Sequence, residues 1–272
     1  MSGRLYIVAT PIGNLEDITL RALRILGEAD FIACEDTRVS AKLLNKYEIS
    51  KPLVSYHEHN SAWMGENIID RIEAGETCAL VSDAGTPVIS DPGAGLTMLC
   101  LQKGIEVVPI PGACAAIAAL SASAMPAGRF CFEGFLSVKS RARREHLEAV
   151  KDEKRTMVFY EAPHKLLSAL KDMLGTFGDR KIVLARELTK LHEEIASTTL
   201  SEALEKYSEQ KPRGEFVLII AGAGESLPEI DEEDVSSALS EDTRQSVKEL
   251  KKLGLSRNEA YRLTLEKKKS EE

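Results

Sequence analysis

Residues that hold a ligand against the backbone tend to be Gly, Pro and short polar side chains gathered where an apolar run stops. Five turns in this chain have that form: Thr10-Pro-Ile-Gly-Asn14, Glu35-Asp-Thr-Arg38, Ser82-Asp-Ala-Gly-Thr-Pro87, Ile110-Pro-Gly112 and Tyr160-Glu-Ala-Pro-His164. Any one of them is explained by turn formation alone; five at the ends of strand-like runs point to a binding site. Gly85 permits close approach of a ligand to the backbone of the Ser82 turn. Asp17 is placed to cap the next helix, which leaves Asn14 to face a ligand. Glu35 and Asp36 offer carboxylates for proton transfer, and Arg38 offers a cation for a phosphate or an ion pair at a helix start. His57 and His59 alternate as they would on one side of an extended strand. Two histidines without a nearby Cys or third His suit hydrogen bonding to a substrate better than a metal, and no metal site is expected.

Several activities are excluded by what is missing. There is no Gly-x-Gly-x-x-Gly after the first strand, no Gly-x4-Gly-Lys-Ser/Thr, no His-Glu-x-x-His and no Gly-x-Ser-x-Gly, so phosphate-loop kinases, zincins and α/β-hydrolases do not fit. The five cysteines, Cys34, Cys78, Cys100, Cys114 and Cys131, are odd in number and never spaced Cys-x-x-Cys, which indicates reduced thiols. No apolar run approaches the roughly 18 residues of a membrane span. The N-terminus enters the strand-like Leu5-Tyr-Ile-Val-Ala9 with no leader pattern, and a cytosolic location is expected.

The net charge of -8 argues against a uniformly basic nucleic-acid binder, but the charge is unevenly spread. Glu225 to Asp242 contains eight acids and no Lys or Arg, whereas Arg244 to Lys269 carries nine basic residues against three acids. A second basic cluster is Lys139, Arg141, Arg143 and Arg144. The pair suggests a polyanionic partner.

The elements that must carry these turns alternate. Strand-like runs at Leu5–Ala9, Phe31–Cys34, Leu53–Tyr56, Cys78–Ser82 and Val107–Ile110 are separated by amphipathic stretches. This is the βαβ rhythm of an α/β fold with a largely parallel sheet. It resumes at Phe130–Phe135, Thr156–Tyr160, Ile182–Ala185 and Phe216–Ala221, after a break near Pro111 to Gly128. Past Gly224 only helical patterns follow, with Gly254 as a stop and Ser256-Arg-Asn-Glu259 as a capping box, the outline of a helix-turn-helix.

The strings Ala9-Thr-Pro-Ile-Gly-Asn-Leu-Glu-Asp-Ile-Thr-Leu-Arg-Ala22, Glu35-Asp-Thr-Arg38, Ser55-Tyr-His-Glu-His59, Val81-Ser-Asp-Ala-Gly-Thr-Pro87, Phe132-Glu-Gly-Phe135, Ala185-Arg-Glu-Leu-Thr-Lys-Leu-His-Glu193 and Gly214-Glu-Phe216 closely resemble the ribosomal RNA small subunit methyltransferase I group of the tetrapyrrole methylase superfamily. The resemblance runs over residues 4 to 222, in order and in many independent segments. It implies an N-terminal α/β domain (1–112), a C-terminal α/β domain completing a cofactor cleft (113–224) and a small helical domain (225–272). It further implies S-adenosyl-L-methionine as cofactor, a homodimer, and 2′-O-methylation of a cytidine in small-subunit (16S) ribosomal RNA. Carried onto this chain, the superfamily's cofactor pattern falls on Pro11, on Ala84, Gly85, Thr86 and Ile89, on Cys114 and Ala115, and on Glu161, Leu188, Phe216 and Val217. One departure is visible: Ala113-Cys114 stands where the group usually has Pro-Ser.

Methyl transfer from a sulfonium requires alignment and exclusion of water more than a metal. A ribose hydroxyl must also lose its proton, for which Glu35, Asp36, His57, His59 and Glu193 are candidates, with Arg38 completing the preferred turn. Asn14, His57, His59 and the Lys139, Arg141, Arg143 and Arg144 cluster are the expected substrate contacts. The alternatives are a tetrapyrrole acceptor, as in the corrin and sirohaem branches, or a ribosome-assembly factor that binds RNA without turnover.

Overall fold

The computed structural model describes residues 3–224, 243–252 and 264. The acidic link at Glu225–Asp242, the Gly254 stop and the Ser256–Glu259 capping box lie outside the described residues. The chain divides into compact units of residues 1–223 and 224–272. In the second, the described element is one helix, Thr243–Lys252, called α9 below.

The first half of the larger unit is a parallel sheet. Strands β1 (Arg4–Val8), β2 (Phe31–Cys34), β3 (Leu53–Ser55), β4 (Cys78–Val81) and β5 (Glu106–Ile110) lie in the order β3-β2-β4-β1-β5. Every neighbouring pair is parallel. β2 and β4 are buried along their whole length because helices cover both faces. Helices α1 (Leu20–Glu28) and α2 (Thr37–Lys46) place Ile25, Leu26 and Leu44 on one face, against Val8, Ile32 and Val81. Helices α3 (Ser61–Glu73) and α4 (Ala94–Gln102) place Ile68, Ile69, Ile72 and Leu96 on the other, against Leu5, Phe31 and Leu80. Truncating one such core side chain to alanine costs about 2–5 kcal/mol. Helix α1 is capped by Thr19, whose Oγ1 accepts the Ala22 N–H at 3.0 Å, so the expected capping by Asp17 is not observed. Thr19 immediately precedes the first helical residue, whereas Asp17 lies within a short 3-10 turn, Leu15–Asp17.

The second half departs from the expected parallel pattern. Strands β6 (Phe130–Phe135), β7 (Thr156–Glu161), β8 (Lys181–Arg186), β9 (Glu194–Thr199) and β10 (Phe216–Ile220) lie in the order β6-β7-β10-β8-β9. Only β6 and β7 pair in parallel; β10 is antiparallel to β7 and β8, and β9 is antiparallel to β8. The crossovers themselves still join parallel strands, β7 to β8 and β9 to β10. The β8–β9 hairpin reverses direction, and the two crossovers interleave, so neighbours run opposite ways. Helices α6 (Ser140–Ala149), α7 (Pro163–Phe177) and α8 (Leu200–Glu209) supply Leu147, Leu166, Leu170 and Leu200 to one face, and α5 (Ala115–Ala122) supplies Ala116, Ala119 and Leu120 to the other.

Candidate active site

The loops at the C-terminal ends of β1, β4 and β5 are bonded to one another. Thr10 and Gly85 exchange two backbone hydrogen bonds, Thr10 N–H to Gly85 O at 2.8 Å and Gly85 N–H to Thr10 O at 3.0 Å. Thr10 Oγ1 donates to Ser82 O at 3.2 Å, and Thr86 Oγ1 donates to Ala113 O at 3.0 Å. Gly85 sits at φ +77°, and a Cβ there would come within 3.3 Å of Ile12 Cγ2, so both backbone conformation and space favour glycine. Val88, three residues on, holds φ 79°, a conformation that costs a β-branched residue about 1–3 kcal/mol and persists only where the surroundings impose it.

Facing these loops is the rim of the second sheet, where Phe216 of β10 pairs with Glu161 of β7 and with Arg186 of β8. Between them lies a cavity of ≈ 340 Å³. Ile12, Asp83, Ala84, Gly85, Thr86, Ile89, Ser90 and Asp91 line it from the first half, and Tyr160, Glu161, Ala185, Leu188, Phe216 and Val217 from the second. Cys114 and Ala115, at the start of α5, complete the wall.

Two contacts tie the halves together beside the cavity. Asn14 N–H donates to Thr189 Oγ1 at 3.0 Å. Gly13 lies so close to the β8–β9 loop that a Cβ would be 2.5 Å from Lys190 Cγ and 2.9 Å from Leu188 O. Any side chain at 13 would push the β1 loop away from Leu188.

Phe135 reaches the cavity through an irregularity in β6. Phe132 pairs with Val158 and Gly134 with Phe159, so Glu133 is an inserted residue. The extra residue restores Phe135 to the face of Phe132, and both rings meet Tyr160 edge-on, at centroid distances of 5.4 and 5.0 Å. Tyr160 is in turn fixed by its hydroxyl, which accepts the Ala116 N–H at 3.0 Å. Burial raises its pKa.

Acidic groups gather on the first-sheet side. Asp83 and Asp91 line the cavity, and Asp83 Oδ1 accepts the Asp36 N–H at 3.1 Å. Burial, and then the negative charges of Asp83, Asp91 and Asp36, raise the Glu35 pKa. Burial and Asp83 likewise raise that of Asp91, against the hydrogen bond from Ser82. Asp36 behaves oppositely: side-chain and backbone hydrogen bonds from Arg38 lower its pKa to about 2. It caps α2 by accepting the Arg38 N–H at 2.8 Å and pairs with the Arg38 guanidinium at 2.6 Å. The ion pair at a helix start is therefore present, with Arg38 exposed to solvent.

Of the residues carried over from the superfamily's cofactor pattern, Ala84, Gly85, Thr86, Ile89, Cys114, Ala115, Glu161, Leu188, Phe216 and Val217 all line this one cavity. Pro11 does not: it is buried in the β1 loop, and its neighbour Ile12 reaches the cavity instead. Ser90 and Asp91 line the wall without having been singled out, since they lie beyond the Pro87 that closes the recognisable turn.

The expected substrate contacts are scattered. Asn14 is exposed, but its Oδ1 is used locally, accepting the Glu16 N–H at 3.1 Å. His57 and His59 are not on a strand: β3 ends at Ser55, and they sit in a turn held by Asn60, whose Oδ1 accepts the His57 N–H at 2.9 Å. Lys139, Arg141 and Arg144 are exposed around the start of α6, with Arg141 bonded to Glu145 at 2.8 Å. Arg143 is not a surface residue. It is 7% exposed, pairs with Asp172 of α7 at 2.7 Å and donates to Ser137 O and Val138 O. Helical periodicity turns it inward while its neighbours face solvent. Among the described residues, no group of three or more His, Cys, Asp or Glu side chains is placed to hold a metal ion, and no helix is long and apolar enough to cross a membrane.

Residues 4–204 match the family described as Tetrapyrrole (Corrin/Porphyrin) Methylases. The ribosomal RNA small subunit methyltransferase I of Synechocystis sp. is 47% identical over 276 aligned residues, 97% of this chain and 98% of that protein. The chain belongs to the tetrapyrrole methylase family, in its ribosomal RNA small subunit methyltransferase I group. The Halalkalibacterium halodurans protein of that name is 53% identical over 225 residues, covering 83% of this chain and 78% of its own length. Among solved structures, uroporphyrin-III C-methyltransferase from Thermus thermophilus complexed with S-adenosylhomocysteine superposes with a TM-score of 0.57 at 19% identity, over 80% of this chain and 97% of that one. That likeness confirms the fold of this methylase-family chain.

Proposed function

We propose that this protein is an S-adenosyl-L-methionine-dependent methyltransferase that modifies the 2′-hydroxyl of a cytidine in small-subunit (16S) ribosomal RNA, in the cytoplasm and as a homodimer. The observation that carries the reading is the cavity itself, which gathers ten residues of the cofactor pattern from loops far apart in sequence. The names of the relatives support the RNA substrate.

The residues present fit the cofactor. Gly85 leaves its backbone open to a ligand, the second sheet offers apolar and aromatic surface, and Glu161 Oε2 is buried with no partner among the described residues. Cys114 lines the wall where the group usually has serine, so the contact there is with a thiol. When bound, the cofactor supplies a methyl group already activated on a sulfonium. Glu35 is the base of choice: it does not line the cavity itself but starts the turn whose Asp36 N–H is bonded to Asp83 of the cavity wall, and burial with the neighbouring carboxylates raises its pKa toward the operating pH. Glu35 would take the proton of the ribose hydroxyl as that oxygen is methylated. Asp36, held ionised by Arg38, is a weak base and instead orients the turn, and the exposed Arg38 is available to a phosphate.

Residues 1–112 and 113–224 act as the two cofactor domains in this reading, and Arg244–Lys269 adds RNA affinity. The homodimer is supported by exposed apolar side chains on the packed pair α3 and α4, with Trp63 at 64%, Met98 at 61% and Leu101 at 64% exposure. The test is incubation with cofactor and either small ribosomal subunits, bare 16S RNA or a tetrapyrrole precursor, followed by mass spectrometry of the products. Appearance of 2′-O-methylcytidine supports the reading. Methylation of the tetrapyrrole alone, or tight cofactor binding with no transfer, would replace it with one of the two alternatives.

A further inference from the structure

The wall formed by the second sheet contains a carboxylate with half of its hydrogen-bonding capacity unused. Glu161 ends β7 and is 2% exposed. Its Oε1 accepts both Lys165 Nζ, at 2.8 Å, and the Ala162 N–H, at 2.9 Å. Lys165 is one turn along α7, and its ammonium is fixed by a second bond to Leu136 O at 3.1 Å. Oε2 is buried, has no partner among the described residues, and belongs to a residue that lines the cavity. A buried carboxylate oxygen left without a donor is costly, so the group that fills this cavity is expected to bring one.

We infer that Glu161 Oε2 accepts a hydrogen bond from an uncharged N–H or O–H on the adenosyl half of the cofactor, an inference that rests on the cavity being the cofactor site. The charge balance favours a neutral donor. Lys165 already neutralises the carboxylate, so the cofactor's α-ammonium would gain from Glu161 roughly what it lost to Lys165. The surroundings favour the adenosyl half. Tyr160, Ala162, Leu188, Phe216 and Val217 share this part of the wall, and their apolar and aromatic surfaces suit a purine and its ribose better than a zwitterionic amino-acid end. The two sources of the donor are the adenine 6-amino group and the ribose hydroxyls.

The bonding of Oε1 sets the sign of the test. Because Lys165 and Ala162 both donate to that oxygen, Glu161→Gln must keep its carbonyl oxygen there and turn its amide nitrogen toward the cavity. An acceptor is thereby replaced by a donor. The experiment is calorimetric binding of S-adenosylhomocysteine, S-inosylhomocysteine and the 2′- and 3′-deoxy forms of the former, to wild type and to Glu161→Gln. If the 6-amino group is the donor, wild type binds the inosyl compound, which carries an acceptor there, about 10–100-fold more weakly than the adenosyl one. In Glu161→Gln that gap closes or inverts while the deoxy gaps stay. If a ribose hydroxyl is the donor, one deoxy compound is the weak binder in wild type, and its gap narrows without closing in Glu161→Gln, because the charge-assisted bond to the carboxylate gives way to a weaker neutral one from the amide N–H to the hydroxyl oxygen. A wild type that binds all four compounds equally, or a folded variant that loses the same factor for each, overturns the assignment of Glu161. The wild-type series needs no variant and reads the result even if Glu161→Gln is unstable. Failure of wild type to bind S-adenosylhomocysteine at all would remove the cofactor site along with the inference.

Discussion

The two sheets contribute unlike materials to one cavity. The first sends polar loops from the ends of parallel strands: the bonded pair Thr10 and Gly85, the Thr86 bridge, and the acids Asp83, Asp91 and Glu35 behind them. The second sends the rim of a mixed sheet, mostly apolar side chains around the buried ion pair of Glu161 and Lys165. A parallel sheet brings several strand C-termini and their loops to one edge, and polar chemistry collects there. A mixed sheet presents strand starts and strand ends at the same edge and offers shape instead. In the function proposed above, proton transfer falls to the first half and recognition of the adenosyl group to the second.

The comparison breaks most sharply at Gly85. Gly85→Val puts a β-branched residue at φ +77° with its Cβ about 3.3 Å from Ile12 Cγ2. Calorimetry should show cofactor affinity reduced about 100-fold or more, as a cost of roughly 3 kcal/mol implies; unchanged affinity in a folded variant would remove the loop from the site. Next in size is a contrast within the basic cluster. Arg143→Ala leaves Asp172 buried without its partner and should lower stability by about 3 kcal/mol in urea titration. Replacing Lys139, Arg141 and Arg144 together by alanine should leave stability nearly unchanged. That variant should weaken RNA binding and flatten the dependence of log affinity on log salt by up to about three phosphate contacts. Equal melting behaviour for both variants would contradict the inward placement of Arg143.

The smallest expected effect concerns the acids. The folded-state pKa of Asp91 is raised by burial and by Asp83, so the folded protein binds more proton than the unfolded chain just above the ordinary carboxylate range. The stability contributed by this group is therefore lost as pH rises through that window. Asp91→Asn should raise the melting temperature at pH 7, and the gain should vanish near pH 3. A variant less stable than wild type at pH 7 would show that Asp91 is held by attractive partners instead.

The same division decided what could be read in advance. The loops of the first sheet were legible because Gly and Pro directly follow short apolar strands, as at Ser82 to Pro87. The second sheet was legible only as separate strands. β9, Glu194-Ile-Ala-Ser-Thr-Thr199, went unrecognised because it is an edge strand that pairs only with β8 and carries few apolar residues. No local pattern records that its hairpin reverses the sheet. Arg143 was visible as a charge, but its burial depends on Asp172, 29 residues away. Asp17 was expected to cap the next helix and Asn14 to face a ligand, but Asn14 instead caps a 3-10 turn too short to show a period, and Asp17 lies within that turn.

The most direct test of the division measures two quantities on two variants: cofactor affinity, and the single-turnover rate with saturating cofactor and small ribosomal subunits. Glu35→Gln should keep wild-type cofactor affinity and lose about 100-fold or more in rate, the usual range for a missing general base. Leu188→Ala, which removes apolar surface from the second wall, should weaken cofactor binding about 10-fold and keep the wild-type rate at saturation. A wild-type rate in Glu35→Gln, or unchanged cofactor affinity in Leu188→Ala, would contradict the account.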